Sequence, residues 1–346
     1  MSPGISVIIC CYNSVGRIEP TLQHLYTQKG LPPTEWEVIL VDNASTDNTA
    51  SVATAIWDSF PGKKPKFKVV TEPTPGLSSA RKKGIEDSSF EYVVFCDDDN
   101  WLEESYLVNG LKIMFSDPNI GVLGGTGIPV FEHTEPPYFW VNQFPGLAVG
   151  EQSPIEGDIT DERGVSYGAG MILNRRAFLE LVENYNFQFQ VSDRIGEVLM
   201  SSGDHEICLA LRKLGYRIFY SRTLQFKHFI PAHRTTIEYY KKLYFGFGVA
   251  YALLRVYAVQ KDQVNSLVND YRYFCIRAMK IILFTRIKLL MEGYYFSKNK
   301  YKFVETLHLL YSNIGMLKTF LRIKNSYKMQ LSSQPLFNLG SYKNNS

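Results

Sequence analysis

Between residues 5 and 95 the chain alternates short apolar runs with polar loops and amphipathic stretches. Ser6-Val7-Ile8-Ile9-Cys10, Trp36-Glu37-Val38-Ile39-Leu40-Val41, Phe67-Lys68-Val69-Val70 and Tyr92-Val93-Val94-Phe95 are four β-rich runs of four to six residues. Near-continuous apolar runs of this length, bounded by turn residues, predict strands buried on both faces. After the first three come stretches with helical spacing or capping signals. Ile18, Leu22 and Leu25 recur on one helical face, Thr46-Asp47-Asn48-Thr49 offers several caps for a helix over 50–57, and Ser78 and Ser79 could cap the next. The alternation predicts an α/β fold with a mostly parallel sheet flanked by helices.

Each predicted strand ends in polar residues suited to binding. The first runs into Cys11-Tyr12-Asn13-Ser14, the second into Asp42-Asn43-Ala44-Ser45-Thr46-Asp47, the third into Thr71-Glu72-Pro73-Thr74-Pro75-Gly76, and the fourth into Cys96-Asp97-Asp98-Asp99-Asn100. Open α/β sheets bind ligands outside the carboxyl ends of their strands. Three successive carboxylates there repel one another, and a hard divalent cation or a proton would neutralise them. The bland alternative is a solvated turn or helix cap. Arg81, Lys82 and Lys83 in the first turns of a predicted helix oppose its dipole unless an anion such as a pyrophosphate sits nearby.

In these residues the chain resembles the family 2 glycosyltransferases, inverting sugar-nucleotide enzymes of the GT-A fold. Four motifs stand in that family's order over roughly residues 5–230: Ile8-Ile9-Cys10-Cys11-Tyr12-Asn13, Val41-Asp42-Asn43-Ala44-Ser45-Thr46-Asp47-Asn48-Thr49, Pro75-Gly76-Leu77-Ser78-Ser79-Ala80-Arg81-Lys82-Lys83-Gly84, and Phe95-Cys96-Asp97-Asp98-Asp99-Asn100. Any one is weak, and four in register are specific. Two departures stand out: Cys10 replaces a common Pro, and Lys82 an usual Asn.

The resemblance implies a donor site of Cys11, Tyr12, Asn13, Asp42, Asn43, Gly76, Ser79, Arg81, Asp97, Asp98, Gly168 and Gly170. Asp42 would accept a hydrogen bond from the base and residues 11–13 would cradle base and ribose. Asp97 would meet the ribose or metal side, Asp99 would bind Mn2+ or Mg2+ bridging the two donor phosphates, and His228 would be a further metal ligand with His233 its competitor. Asp98, in an extended segment between the other two, should point to the opposite side of the backbone in a structural role.

Gly168-Ala169-Gly170 reads as close backbone packing on its own, and as the donor-pocket wall by resemblance. Downstream, Ser201-Ser202-Gly203-Asp204-His205-Glu206 opens an amphipathic helix with Ile207, Leu211 and Leu214 on one face and Gly215 as its stop. Asp204 is a capping candidate there. By resemblance it is the general base of the inverting reaction, taking the proton of an acceptor hydroxyl, with Glu206 as rival and His205 as a packing or orienting residue. Arg175 and Arg176 read as surface residues at a helix start.

Residues 132–162 hold Pro136-Pro137-Tyr138-Phe139-Trp140, a composition suited to an aromatic-rich loop that would serve the acceptor side or simply pin itself to the core. From residue 231 the strand grammar gives way to helical patterns rich in Tyr, Phe, Lys and Arg. The expected division is a catalytic domain over 1–230, with a nucleotide and metal half over 1–100 and an acceptor half over 101–230, followed by a helical region over 231–346. None of its runs reaches the roughly 20 apolar residues of a spanning helix. The helices read equally as peripheral membrane elements or as packing helices with basic outer faces.

A net charge of +3 and the lack of any nucleic-acid motif argue against nucleic acid as a partner. The five dispersed cysteines fit a reduced, cytoplasmic protein, and Met1-Ser2-Pro3-Gly4 leads so quickly into the first strand that no removable signal peptide is expected. The polar stretch 339–346 reads as disordered. The expected partners are a nucleotide-sugar, most simply a UDP-sugar, and a glycan or lipid-linked glycan acceptor at the inner membrane face, in surface polysaccharide synthesis. A sugar nucleotidyltransferase, whose first loop should be rich in glycine, and a catalytically silent scaffold are the rival readings.

Overall fold

The computed structural model describes residues 2–132, 144–191, 199, 202–258, 264–291 and 300–323. The aromatic run 136–140 and the stretch 339–346 lie outside them. The first half is a strict alternation: β1 (Ser2–Cys11), α1 (Ile18–Tyr26), β2 (Trp36–Asp42), α2 (Thr49–Ser59), β3 (Lys66–Thr71), α3 (Leu77–Asp87), β4 (Phe90–Phe95). Then follow β5 (Asn100–Leu102), α4 (Tyr106–Ser116), β6 (Ile120–Phe131), β7 (Gly157–Asp158), β8 (Ile172–Asn174), α5 (Arg175–Tyr185), α6 (Gly203–Lys213) and β9 (Arg217–Ile230). The chain finishes in α7 (Ile237–Leu254), α8 (Val264–Met291) and α9 (Lys300–Ile323).

One nine-stranded sheet runs β3-β2-β1-β4-β8-β6-β9-β5, with β7 pairing β9. β1, β2, β3 and β4 are parallel, whereas β8 lies antiparallel between β4 and β6. The expected mostly parallel sheet is therefore present, and it places Cys11 beside Asp42 in register at one edge.

Strand alternation divides the core into two layers. Ile5, Val7 and Ile9 of β1 face α1, α2 and α4, burying Ile18, Leu22, Leu25 and Trp57. Ile8 faces the other way, toward Ile85 of α3, Phe178 and Leu181 of α5, and Ile207 and Leu211 of α6. A strand buried on both sides explains why β1 reads as continuously apolar.

One local detail differs from the sequence reading. α3 begins at Leu77 with Gly76 as its N-cap, so Ser78 and Ser79 lie inside the first turn rather than capping it. β9 is a single strand of 14 residues.

The C-terminal helices join the same core. Ala252, Val256, Tyr257, Cys275, Ala278, Met316 and Phe320 belong to the cluster that also holds Ile8, Phe178 and Ile207. α7 and α9 cross closely because glycine marks the contact on each: a Cβ at Gly248 would run into the Ser312 carbonyl, and one at Gly315 into that of Phe245.

Candidate active site

β4 ends at Phe95 between β1 and β8, so the next four residues turn across the carboxyl edge of the sheet before β5 begins at Asn100. The three aspartates diverge as they cross. Asp98 turns inward and is buried. It receives the Arg17 guanidinium, with Nη2 at 2.6 Å and Nε at 3.1 Å, together with the Ser14 hydroxyl, while its carbonyl accepts from Thr21 Oγ1 at 2.9 Å. Burial and the Asp99 charge push its carboxyl above the ordinary value, against the pull of Arg17. Asp98 thus fastens the segment to the start of α1; that segment is a turn, closed by Asn100 N donating to the Asp97 carbonyl at 2.9 Å, and not the extended backbone expected from the sequence.

Asp99 turns toward β9. Its carbonyl accepts from Phe229 N at 2.9 Å, and the pairing of Asn100 with His228 sets the imidazole beside it. His228 Nε2 lies 3.5 Å from Asp99 Oδ1, and Arg234 Nη1 donates to Asp99 Oδ2 at 3.0 Å. All three groups are largely shielded from solvent. His228 Nδ1 is buried with no hydrogen-bond partner among the described residues. His233 is set apart, edge-on to Tyr239.

Asp97 keeps 28% of its side-chain surface exposed and faces Arg81, whose Nη2 lies 3.9 Å from Oδ1. Arg81 is buried at the start of α3, its guanidinium 4.7 Å above the Phe95 ring. That cation explains Gly168: a Cβ there would occupy the space of the guanidinium. Gly168 N donates to Asp204 Oδ2 at 2.6 Å, and His205 N donates to Oδ1 at 2.8 Å. Asp204 is therefore no N-cap; Ser202 holds that position. Gly170 instead packs on Tyr106, whose hydroxyl donates to its carbonyl at 2.6 Å.

Burial raises the Asp204 pKa, but His205, Arg81 and the two backbone N–H groups more than offset it and hold the carboxyl below the usual carboxylate value. Burial also pushes the His205 imidazole down, so at pH 7 it is neutral and the lasting support comes from Arg81 and the backbone. An ionised, hydrogen-bonded carboxylate at the sheet edge can accept a proton. Glu206, two residues on, is fully buried and accepts from Gln190 N, Val191 N and Tyr257 OH at 2.8–3.0 Å.

The loops after β1 and β2 form the other wall. Asn13 sits at φ 50°, a left-handed conformation that asparagine tolerates, and its Oδ1 accepts from Thr46 N at 2.8 Å. Tyr12 is 57% exposed at the rim. Cys11 is buried, and burial with the Asp98 charge drives its thiol upward, so it behaves as a small apolar side chain. Asp42 is half-buried and accepts from Ser45 N at 3.3 Å. Asn43 uses its whole amide on the frame: Nδ2 donates to the Glu72 and Thr74 carbonyls and Oδ1 accepts from Gly76 N. Ser79 is half-buried in the first turn of α3, and Arg175 opens α5 by donating to the Ile85 carbonyl at 2.8 Å.

Sequence reasoning missed Arg17 and Arg234, which the structure sets against Asp98 and Asp99. The self-repelling triplet called for positive charge, but the partners stand 81 and 135 positions away. A groove of about 410 Å³ among Pro3, Leu31, Val108 and Phe115 lies at the opposite end of β1 and has no part in this constellation.

A divalent ion fits the chemistry of Asp99 and His228: a carboxylate and an imidazole facing each other, the latter dry on its far side. Among the described residues no three such groups gather at one point. Mg2+ commonly takes one or two carboxylates and completes its shell with substrate phosphates and water, so two protein donors suffice.

Three histidines set an acid limit on stability. Burial lowers the pKa of His205, His233 and His308 below 6.5. Below that value the unfolded chain binds protons the native state refuses, so their contribution is complete above pH 6.5 and lost as pH falls through the native values. The melting temperature is expected to drop on acidification from about pH 7 to about pH 5, and calorimetry should show a shallower drop for His308→Phe. An unchanged slope would refute the assignment to His308.

A family model described as Glycosyl transferase family 2 matches residues 6–181. A poly-beta-1,6-N-acetyl-D-glucosamine synthase of Staphylococcus epidermidis is 30% identical over 125 residues, 35% of this chain and 28% of that protein. A poly(ribitol-phosphate) beta-glucosyltransferase of Bacillus spizizenii is 26% identical over 171 residues, 47% and 26% of the two chains. The matched stretch thus spans less than a third of either relative. Among solved structures, S. aureus TarS 1-349 in complex with UDP-GlcNAc superposes with a TM-score of 0.52 at 17% identity, covering 94% of this chain and 92% of that one.

Proposed function

The chain belongs to glycosyl transferase family 2, and from that premise we propose that it is a metal-dependent inverting glycosyltransferase. It moves a sugar from a UDP-sugar to a hydroxyl of a glycan or lipid-linked glycan during surface polysaccharide assembly. The observation that carries this reading is the charge relay around Arg81, which neutralises Asp97 at the donor side and supports an ionised Asp204. The two relatives, a poly-beta-1,6-N-acetyl-D-glucosamine synthase and a poly(ribitol-phosphate) beta-glucosyltransferase, support a polymeric acceptor.

In this reading the Asp204 carboxylate takes the proton of the acceptor hydroxyl. That oxygen bonds to the anomeric carbon as the bond to the nucleoside diphosphate breaks on the opposite face, the electron pair leaving with the diphosphate. The Gly168 and His205 N–H groups keep the carboxylate aimed. Asp42 and residues 11–13 line the base side, and Arg81 lies where a diphosphate would meet positive charge. Asp99 and His228, with Asp97 adjacent, would hold Mn2+ or Mg2+. When bound, that ion offsets the charge growing on the leaving diphosphate. Arg234 already occupies one Asp99 oxygen, so an ion and the guanidinium compete for it.

Nucleoside diphosphate release from UDP-, GDP- and dTDP-sugars with Mn2+, Mg2+ or chelator tests the proposal. Release from one donor is expected, dependent on the ion and lost with Asp99→Asn, together with Mn2+ affinity in titration. Release that survives both chelation and Asp99→Asn would remove the metal role. Failure of all three nucleotides to bind would remove the donor reading.

A further inference from the structure

α8 carries apolar side chains on the face that meets water as well as on the face that meets the core. Toward the core it presents Cys275, Ala278 and Thr285, all at most 7% exposed, with Tyr271, Phe274 and Leu289 packed partly buried beside them. Thr285 satisfies its hydroxyl within the helix, on the Ile281 carbonyl. Outward it presents Ile276, Met279, Leu283, Phe284, Ile287 and Leu290, from 45% exposed at Ile287 to 84% at Leu290. At 3.6 residues per turn, Ile276, Leu283, Ile287 and Leu290 fall on one line along the axis. An apolar stripe this long is more than the scattered exposed residues of an ordinary surface.

The charges on that face have one sign. Arg272, Arg277, Lys280 and Arg286 are exposed around the stripe, with Arg277 and Arg286 on its two flanks, and no Asp or Glu occurs from residue 271 to 291. A second copy of the same face would bring these cations together without a carboxylate between them. An anionic lipid surface meets both features: the apolar side chains enter the boundary of the acyl chains, while the long basic side chains reach up to the headgroups. Among the described residues no helix is long and apolar enough to cross a membrane, so contact would be along the surface.

We propose that the outer face of α8 is a peripheral membrane-docking surface for anionic lipid. The inference stands on exposure and charge alone and is read without turnover, so its failure and that of the glycosyltransferase reading are separate results. The full chain is sedimented with vesicles of phosphatidylcholine alone or mixed with phosphatidylglycerol. Binding to the mixed vesicles only is expected, weakening with added salt. The double substitution Leu283→Ser, Phe284→Ser should weaken it at least about tenfold, since burial of such side chains is each worth a factor of ten or more. Arg277→Gln with Arg286→Gln should remove the preference for phosphatidylglycerol. Melting temperature should be unchanged in both, because the altered side chains are exposed. No binding to mixed vesicles, or binding that neither variant changes, would overturn the proposal. So would a dimer in vesicle-free sedimentation that Leu283→Ser, Phe284→Ser dissociates, which would assign the stripe to a second copy.

Discussion

Substituting Asp204 by asparagine is expected to lower the rate of transfer by about 10²- to 10⁴-fold, the range over which a positioned general base contributes, while leaving donor affinity intact. Asparagine keeps an acceptor oxygen for the Gly168 N–H, so the pocket wall and the Arg81 guanidinium beside it stay in place. What it lacks is the capacity to take a proton. The two quantities separate in single-turnover kinetics alongside nucleotide titration. Wild-type transfer by the variant would rule Asp204 out as the base. Loss of donor binding equal to the loss of rate would make its role structural instead.

The second large effect concerns stability, two residues further on. Glu206→Ala is expected to destabilise the fold by about 3–5 kcal/mol, the rough total for three buried donors that lose their common acceptor, less what relaxation recovers. The Gln190 and Val191 N–H groups and the Tyr257 hydroxyl all donate to this one carboxylate. Without it each is left buried and unsatisfied, at about 1–3 kcal/mol apiece before relaxation. Because Tyr257 lies beyond α7, the loss should also loosen the C-terminal helices from α6. Denaturant titration should show the midpoint falling, with Glu206→Gln intermediate because its amide retains one acceptor oxygen. A variant as stable as the wild type but without turnover would return Glu206 to the chemistry.

Asp204 and Glu206 show how far sequence can go. Both are acidic residues in the first turn of the same amphipathic helix, and either could be the base by spacing. The helix turns one toward Gly168 and the sheet edge and the other into the core, and only the surroundings of each carboxylate separate a group that can meet substrate from one that ties elements together. The aspartate triplet behaves likewise. That it crosses a strand end was legible from the apolar run before it; that the chain turns there, instead of running on extended, was not. That it would be balanced by two arginines, Arg17 and Arg234, was not.

The sequence by itself determined the βα alternation, the buried parallel strands and the position of the acidic turn at their carboxyl edge. Each follows from periodicity within a few residues, where side chains alternate across a strand or recur around a helix whatever the rest of the chain does. The tertiary structure decided which cation faces which carboxylate, which acid stays open and which face of α8 is left uncovered. Those depend on neighbours brought together by strand order, across as many as 135 positions, and electrostatics and burial act through space rather than along the chain.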